Sequence, residues 1–486
     1  MMWFSHTEWG QNTALIDVDQ QLTYAQLEVA VQARSDWLLE QNVSRVALLM
    51  DNQIEWVLFD LACQQAGVCC VPVPVFFSVK QTEYLLGASA IELLIVEAER
   101  ADAFAVTSFD TPFKKLKAQS FRPHEQPELP EGTHKITFTS GTTGAPKGVC
   151  LSTDSQLTVA RSLVSALALQ DVKHLSLLPL ATLLENIAGI YAPLLVGGTV
   201  YLASQQQRGF EGSRMVQPKA MLVLINQVQP TSLILVPELL SFMVQACNQG
   251  WQPPESLVFI AVGGGKVSAQ MLSRARQLGL PVYQGYGLSE CASVVALNTP
   301  NNDHILSAGT LLEHSEANVV EGELIVRGNL FLGYMNHPES FYPTQFATGD
   351  LVDLKANVLT IQGRRNNIII NSFGRNLSPE WIESELLASQ IFRSVVVFGE
   401  ARAYCGAILV LISHEVPHDL VKTTIEQVNA GLPDYAQIKD WVLAMEPFEA
   451  SEGLVTATGK PIRDAILDHY KDRINDLYQS NHNSDY

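Results

Sequence analysis

The sequence has 486 residues, 47% of them hydrophobic, so it is too long for one hydrophobic core and should form two or three domains. No apolar run reaches the length of about 20 residues that spans a bilayer, so no transmembrane segment is predicted. The formal net charge of −19 disfavours nucleic acid as a partner, because a phosphate backbone needs a clustered basic surface.

The cysteines and the first residues together indicate a cytoplasmic protein. Seven cysteines are scattered through the chain, and the adjacent Cys69 and Cys70 cannot easily form a relaxed disulfide. An odd number of cysteines without a CxxC pair is typical of reduced thiols. Residues 1–12 contain an early acid and lack the basic-then-apolar order of a signal peptide.

Helices and strands alternate over most of the chain before Leu297. Residues 22–43 predict an amphipathic helix entered through Thr23, and residues 53–67 predict a second helix that ends at Gly67. Short apolar runs that end in Pro, Gly or a polar residue predict buried strands at 45–50, 68–75, 91–98, 174–180, 199–203, 232–237 and 256–264. Strands that are apolar on both faces and separated by helices indicate a parallel sheet covered on both sides.

The pattern changes after Leu297, where short strands with turn residues indicate a β-rich subdomain. These strands are predicted at 321–335, 351–364 and 366–374. From Arg364 a compact α+β unit of about 120 residues, a normal domain size, is predicted. Its predicted elements are a helix at 378–389, strands at 394–399 and 404–413, helices at 423–432 and 462–474, and a frayed end at 479–486.

The predicted fold class is therefore α/β with two domains. Residues 1–363 form a large N-terminal domain of parallel-type α/β sheets plus the β-rich subdomain. Residues 364–486 form a small α+β C-terminal domain.

A loop rich in glycine and hydroxyl side chains begins at Thr139. Its glycines allow backbone N–H groups to approach a ligand, consecutive amides can form an anion site, and a lysine adds a mobile positive charge. It is not the P-loop of the common nucleotidases, because Pro146 precedes the lysine and Gly148 follows it. Taken alone, the loop is compatible with a phosphate cradle or with a flexible turn. The candidate phosphate-binding residues are Thr139, Ser140, Gly141, Thr142, Thr143, Gly144 and Lys147.

The stretch from Phe138 to Val149 resembles, over twelve positions without a departure, the signature loop of the adenylate-forming superfamily. This superfamily comprises acyl-CoA synthetases, aryl-acid ligases, adenylation domains of peptide synthetases and luciferases. Further motifs follow in the family's order, so the resemblance covers nearly the whole chain from Leu22 to Arg463. Within the superfamily the chain looks most similar to fatty acyl-CoA synthetases and acyl-carrier-protein synthetases.

The resemblance implies a nucleotide site built from four short motifs. "VGGG" resembles the segment that lies along the adenine, and "YGLSE" offers a tyrosine ring for the purine and a serine for the α-phosphate. "TGD" ends in a carboxylate suited to both ribose hydroxyls, and an arginine fourteen residues later adds a ribose contact. The nucleotide-binding residues assigned in this way are Gly263, Gly264, Gly265, Tyr286, Gly287, Ser289, Asp350 and Arg364.

The resemblance also implies the catalytic residues. Lys460 in "TGKPIR" falls on the family's adenylation lysine. A carboxylate attacks the α-phosphate of ATP, so two anions must meet, and a mobile ammonium offsets their repulsion. Glu290 and Thr142 are implied as Mg²⁺ ligands and count with Lys460 as catalytic. The C-terminal domain is implied to be a mobile lid with a hinge at Asn366, and Gly374 to line the tunnel for the thiol.

The segment "LPLATLLE" resembles the acyl-binding segment of fatty acyl-CoA synthetases and implies Leu180, Thr182 and Glu185 as pocket residues. Thr182 stands where the family usually has histidine. Adenylation domains of peptide synthetases place an aspartate in this region to pair with an amino group, and none follows Pro179 here, so an apolar medium- or long-chain acid is predicted.

The implied reaction converts a small carboxylic acid and ATP into an acyl-adenylate and pyrophosphate, and then transfers the acyl group to the thiol of CoA. One alternative acceptor is the phosphopantetheine of an acyl carrier protein, which an arginine cluster could face. A second alternative is a catalytically silent nucleotide-binding regulator. The arginines of the cluster are Arg364, Arg365, Arg375, Arg393 and Arg402.

Overall fold

The computed structural model describes most of the chain. The described residues are 2–5, 7–104, 106–113, 115–123, 125–139, 147–212, 214–370, 372, 376–402, 404–456 and 459–482.

The strands are, in chain order, β1 (Thr13–Ile16), β2 (Gln21–Thr23), β3 (Arg45–Leu49), β4 (Cys69–Pro72), β5 (Leu93–Glu97), β6 (Ser108–Asp110), β7 (Leu116–Ser120), β8 (Lys135–Thr139), β9 (Lys147–Leu151), β10 (Lys173–Ser176), β11 (Thr199–Leu202), β12 (Phe210–Glu211), β13 (Arg214–Met215), β14 (Ser232–Leu235), β15 (Phe259–Val262), β16 (Val282–Leu288), β17 (Ser293–Leu297), β18 (Thr310–Leu311), β19 (Ser315–Val320), β20 (Glu323–Gly328), β21 (Gly333–Tyr334), β22 (Phe346–Lys355), β23 (Val358–Arg364), β24 (Ile369–Ile370), β25 (Asn376–Leu377), β26 (Phe392–Phe398), β27 (Cys405–Leu411) and β28 (Ile438–Leu443).

The α-helices are, in chain order, α1 (Tyr24–Gln41), α2 (Ile54–Ala66), α3 (Val79–Ala88), α4 (Thr153–Leu167), α5 (Ala192–Leu194), α6 (Gln205–Arg208), α7 (Pro218–Val228), α8 (Pro237–Asn248), α9 (Ala269–Gln277), α10 (Pro379–Leu387), α11 (His418–Asn429), α12 (Arg463–His469) and α13 (Lys471–His482). A π-helix, Leu184–Tyr191, leads directly into α5. Among the described residues, every helix is too short or too polar to cross a membrane.

The larger sheet joins the parallel and the antiparallel parts of the N-terminal region. Its strand order is β19-β20-β22-β23-β18-β17-β16-β15-β14-β10-β11-β1-β2. Pairing is parallel from β16 through β15, β14, β10 and β11 to β1, and it becomes antiparallel at β17. The predicted β-rich subdomain is therefore a continuation of the parallel sheet, which places the motifs on β16, β22 and β23 in one framework.

The second sheet carries the glycine-rich loop. Its order is β21-β9-β8-β4-β3-β5-β7-β6, with β3, β4, β5 and β8 in parallel pairs. Strands β8 and β9 form an antiparallel hairpin in which Thr139 pairs with Lys147. The two ends of the loop are thus held opposite each other.

The predicted start of the first helix at Thr23 and the predicted end of the second helix at Gly67 are confirmed. The Thr23 side chain accepts a hydrogen bond from the Gln26 amide, and the Gln26 side chain accepts one from the Thr23 amide, which is a capping box. Helix α2 ends at Gly67, whose φ of 68° is accessible to glycine without strain.

The C-terminal region has its own sheet, β26-β27-β28, packed against α10 and α11. The single helix predicted at 462–474 is wrong in its extent, because Tyr470 packs against Phe448 and separates α12 from α13. The frayed end predicted from 479 is also wrong up to His482, because α13 is anchored by the buried Tyr478, which donates a hydrogen bond to the Tyr404 carbonyl.

The predicted α/β class with a smaller C-terminal α+β part is confirmed. The boundary between residues 363 and 364, which falls at the end of β23, stays a proposal, and so does the mobility of the C-terminal domain.

A buried ion pair connects the second sheet to helix α2. The Lys135 ammonium lies 2.8 Å from Asp60 Oδ1, and both side chains are 1% exposed. Tyr191 and Asn186, both on the π-helix, donate hydrogen bonds to Asp60 Oδ2 at 2.6 and 3.1 Å. The ion pair and these hydrogen bonds therefore hold the π-helix against the first residue of β8, the strand that leads into the glycine-rich loop.

We expect Asp60→Ala to lower the free energy of unfolding by about 3–5 kcal/mol, because it leaves the Lys135 ammonium buried without a counter-charge. Urea denaturation followed by tryptophan fluorescence measures the shift. The control is Asp19→Ala, which removes the exposed partner of Lys115. Equal denaturation midpoints for the two variants would contradict the expectation.

Candidate active site

Asp350 lies at the centre of a cluster assembled by three strands of the larger sheet. In the β22–β23 hairpin Asp350 pairs with Arg364, whose Nε donates to Asp350 Oδ1 at 2.9 Å. From β16, the Tyr286 hydroxyl donates to Asp350 Oδ2 at 2.6 Å. Asp350 is only 5% exposed, so both carboxylate oxygens are paired inside the protein. The structure thus brings together three residues that the sequence assigned to the ribose and the base.

The cluster keeps its three groups in defined charge states. Burial raises the pKa of the Tyr286 phenol, and the adjacent Asp350 carboxylate raises it further, so the phenol remains a neutral donor. Burial is the largest single effect and acts to lower the pKa of Arg364, but the charge and hydrogen bond of Asp350 together with Tyr286 and Glu290 outweigh it, so the net pKa is raised. A neutral phenol and a guanidinium therefore hold one carboxylate.

The predicted adenine segment is an open glycine turn after β15. Gly264 has a φ of +80°, where a residue with a Cβ would be strained. A Cβ at Gly263 would lie 3.5 Å from Leu184 Cδ2, and one at Gly265 would lie 3.1 Å from Pro237 Cγ. The turn therefore offers bare backbone beside the start of the π-helix and the start of α8.

Gly287 occupies a β-bulge between β16 and β17. A Cβ there would lie 1.9 Å from the Ser293 carbonyl oxygen, so only glycine fits. The bulge leads into the one-turn 3₁₀ helix Ser289–Cys291, which positions Ser289 and Glu290 beyond the end of β16.

Tyr334 connects Glu290 to the glycine-rich loop. Its hydroxyl donates to Glu290 Oε1 at 2.6 Å, and its ring centroid lies 5.2 Å from Lys147 Nζ. Burial raises the pKa of the Tyr334 phenol, and Glu290 contributes in the same direction, so the phenol stays protonated. The sequence interpretation did not single out Tyr334. The only local signal was its place after Gly333 in a predicted strand, and its contact with Glu290 spans 44 residues.

The remaining phosphate-loop assignments lie outside the described residues: Ser140, Gly141, Thr142, Thr143 and Gly144. Only the flanking residues of the set, Thr139 and Lys147, have a described position, opposite each other in the β8–β9 hairpin. Gly374 also lies outside the described residues. Asn366 is exposed in the 3₁₀ turn Arg365–Asn367 that follows β23.

Lys460 of the C-terminal region lies within range of the charges of the Asp350 cluster. Burial in the surrounding protein lowers the pKa of Lys460, and the Arg364 charge lowers it further, whereas Glu238 and Asp350 act in the opposite direction. The charges of these three groups therefore reach Lys460, which keeps exposed surface.

The three predicted acyl-pocket residues occupy different environments. Leu180 is 1% exposed within the N-terminal core. The Thr182 hydroxyl donates to the Pro179 carbonyl at 2.7 Å and stabilises the turn before the π-helix. Glu185 is fully buried, and its Oε1 lies 3.0 Å from His174 Nε2. Their role in acid binding stays a prediction.

The described residues contain no group of three or more His, Cys, Asp and Glu that could hold a metal, and Glu290 is the described residue implied as a Mg²⁺ ligand. Mg²⁺ at phosphate sites is usually held by one or two carboxylates plus the phosphates themselves. Glu290 therefore fits a Mg²⁺ that arrives with a nucleotide and does not fit a cation bound by the protein alone.

Comparison with known proteins gives consistent similarities over nearly the whole chain. The model of the AMP-binding enzyme family matches residues 4–335, and that of the AMP-binding enzyme C-terminal domain matches residues 366–482. The long-chain-fatty-acid–CoA ligase FadD15 of Mycobacterium bovis is 25% identical, over 86% of this chain and 81% of the relative. The 2-succinylbenzoate–CoA ligase of Bacillus subtilis is 28% identical, over 88% of each chain.

Among solved structures, o-succinylbenzoate coenzyme A synthetase (MenE) from Bacillus subtilis, in complex with ATP and a magnesium ion, has a similar fold. Its TM-score is 0.74 at 23% identity, and the match covers 95% of this chain and 98% of that one. The resemblance stated from the sequence motifs is confirmed by these matches.

We expect Tyr334→Phe to weaken the binding of ATP in the presence of Mg²⁺ about tenfold, because Glu290 loses a hydrogen bond to a charged group worth about 1.5 kcal/mol. The affinity is measured by isothermal titration with and without Mg²⁺. The control is Tyr342→Phe, which removes an exposed hydroxyl that contacts Glu131. A Tyr334→Phe variant whose affinities match those of the wild type in both conditions would contradict a role for this tyrosine.

Proposed function

Because the chain belongs to the AMP-binding enzyme family, whose model matches residues 4–335, we propose that it joins an aliphatic carboxylic acid to coenzyme A through an acyl-adenylate. Family membership and its curated relatives make it an AMP-forming acid–thiol ligase that uses ATP, a small carboxylic acid and CoA. The identity of the acid, the assignment of roles to residues and the use of Mg²⁺ are the proposed part.

The observation that carries the proposal is that the charges of Asp350 and Arg364 act on Lys460. A lysine within range of a ribose-type site can reach the α-phosphate of a nucleotide held there. Lys460 is far from Asp350 and Arg364 in the sequence, which supports a site shared by the two parts of the chain.

In the first step, an oxygen of the acid's carboxylate forms a bond to the α-phosphorus of ATP, and the bond to the bridging oxygen breaks to release pyrophosphate. Lys460 reduces the repulsion between the carboxylate and the α-phosphate. Asp350 accepts hydrogen bonds from the ribose hydroxyls, and the bare backbone at Gly264 receives the base. Glu290 would hold Mg²⁺, which would supply neutralising charge to the phosphates.

In the second step, the sulfur of CoA forms a bond to the acyl carbon, the acyl–oxygen bond to AMP breaks, and the thiol proton passes to water. The proposal retains a lid movement between the two steps, with Asn366 at the hinge and Gly374 beside the thiol arm. The exposure of the turn Arg365–Asn367 supports a hinge at this place.

The preference for an aliphatic acid rests on Leu184. Its side chain reaches the glycine turn at Gly263, so the adjoining space is lined by hydrocarbon. Ala188, one turn further along the π-helix, is also partly accessible and packs on the same apolar clusters. The relative named a long-chain-fatty-acid–CoA ligase is compatible with this choice, whereas 2-succinylbenzoate ligases act on an aromatic acid.

The preference for CoA over a carrier protein rests on the relatives and on the arginine cluster. Arg364 is paired with Asp350, Arg365 lies 3.3 Å from Glu323, and Arg402 donates to Asn475. Arginines that already have partners in the protein contribute less to steering an acidic carrier.

The substrate assignment is tested by pyrophosphate release with a panel of medium- and long-chain fatty acids, aromatic acids and amino acids. We expect release with fatty acids, since the lining near Gly263 is apolar. CoA and a phosphopantetheinylated carrier are then compared as acceptors. Release with aromatic acids alone would replace the aliphatic assignment, and release with amino acids alone would contradict the pocket interpretation.

We expect Lys460→Ala to slow acyl-adenylate formation by about 10²–10³, the usual effect of losing one transition-state donor. Supplied with synthetic acyl-adenylate, the variant should still form the thioester at a normal rate. Single-turnover assays of the two steps measure both effects. The control is Lys439→Ala on β28, which should change neither step. An equal loss of both steps in Lys460→Ala would count against the proposed role.

A further inference from the structure

The π-helix Leu184–Tyr191 has one face toward the glycine turn and one face toward the parallel sheet. Leu184 and Ala188 are partly accessible, whereas Glu185, Asn186 and Ile187 between them are buried. Since Leu184 reaches Gly263, the accessible face borders the proposed acid site. Helices of this type occur most often at functional sites.

His174 connects the buried face of the π-helix to two neighbouring strands. His174 on β10 lies directly beside Ser232 on β14, and its Nδ1 is 3.0 Å from the Ser232 hydroxyl. Its Nε2 is 3.0 Å from Glu185 Oε1. The carboxylate at the start of the π-helix is thereby tied to the sheet through the imidazole.

Gly189 makes this arrangement sterically possible. A Cβ at this position would lie 2.7 Å from His174 Nε2 and 2.8 Å from Glu185 Oε1. These distances are too short for any real side chain, so the imidazole and the carboxylate meet in space that only glycine leaves free.

The arrangement is costly for a purely structural contact. Glu185 has no exposed surface, and its Oε2 has no hydrogen-bond partner among the described residues. A buried polar atom without a partner lowers stability, and an apolar side chain at this place would avoid that loss. A buried carboxylate oxygen without a partner departs from the rule that buried polar groups are hydrogen-bonded, and such departures are expected at functional sites.

We infer that Glu185 is a positioning residue for the acid: through His174 it fixes the first turn of the π-helix and holds Leu184 against Gly263. This inference rests on the proposed function, and it changes the role implied by the family resemblance. In this role Glu185 does not contact the acid. It determines the position of Leu184, which lines the acid site.

The test compares Glu185→Ala, Glu185→Gln and Gly189→Ala in pyrophosphate release, with an acid that the wild-type protein uses. We expect Glu185→Ala and Gly189→Ala to raise KM for the acid about tenfold and to leave KM for ATP within about twofold. Glu185→Gln should recover most of the acid affinity, because its amide can still bond His174.

The matched control is Glu55→Gln, which alters another buried carboxylate, paired with Arg34 at 2.6 Å between α1 and α2. It should lower thermal stability without separating the two KM values. If Glu185→Ala raises both KM values equally, or neither, the positioning role is overturned. If Glu185→Ala does not fold, Gly189→Ala decides by the same criteria.

Hydrogen–deuterium exchange of residues 184–191 provides a readout that needs no turnover. Exchange should be faster in Glu185→Ala than in the wild type and unchanged in Glu55→Gln, since only the first variant releases the π-helix from β10. Unchanged exchange in Glu185→Ala overturns the inference. A wild-type protein that releases no pyrophosphate with any acid would instead refute the proposed function, while the exchange result would still test the tie between Glu185 and His174.

Discussion

The shared carboxylate of Asp350 is the interaction on which the site depends. It is nearly inaccessible to water, so both of its oxygens require partners, and it finds them in Tyr286 of β16 and Arg364 of β23. These strands belong to the parallel and antiparallel parts of one sheet, and Arg364 is the last residue of β23, at the proposed domain boundary. In the proposed mechanism, a ribose at Asp350 would share the carboxylate with this phenol and this guanidinium, which would couple nucleotide binding to the junction between the two parts of the chain.

The parts of the site that could be predicted from the sequence are those set by local geometry. Asp350 and Arg364 are fourteen residues apart because a two-residue turn closes a hairpin that places them opposite each other. Gly264 has a positive φ and Gly287 leaves no room for a Cβ, so both positions require glycine. The capping box at Thr23 and the helix end at Gly67 are also local signals. In each case the residues that determine the feature lie within one turn or one hairpin.

The parts that could not be predicted depend on strand order. Tyr334 reaches Glu290 because β21 joins the edge of β9, and His174 meets Ser232 because β10 lies beside β14. No short pattern encodes either neighbour. Glu185 illustrates the consequence: its motif implied an acyl-pocket residue, which stays a prediction, but could not show that its side chain contacts His174 on the sheet. The break between α12 and α13 likewise depends on the packing of Tyr470 against Phe448.

The strand order of the larger sheet also bears on how the protein is made. Strand β1 pairs in parallel with β11, so the pairing of Leu15 with Val200 cannot form until Val200 has been synthesised. The parallel strands β3, β4 and β5 of the second sheet are complete long before that point. On a ribosome these strands can therefore assemble first, while β1 and β2 have only each other to pair with. A strand with a free edge can pair with a strand of another chain. Because β1 and β2 are short, the risk of such pairing during translation is limited.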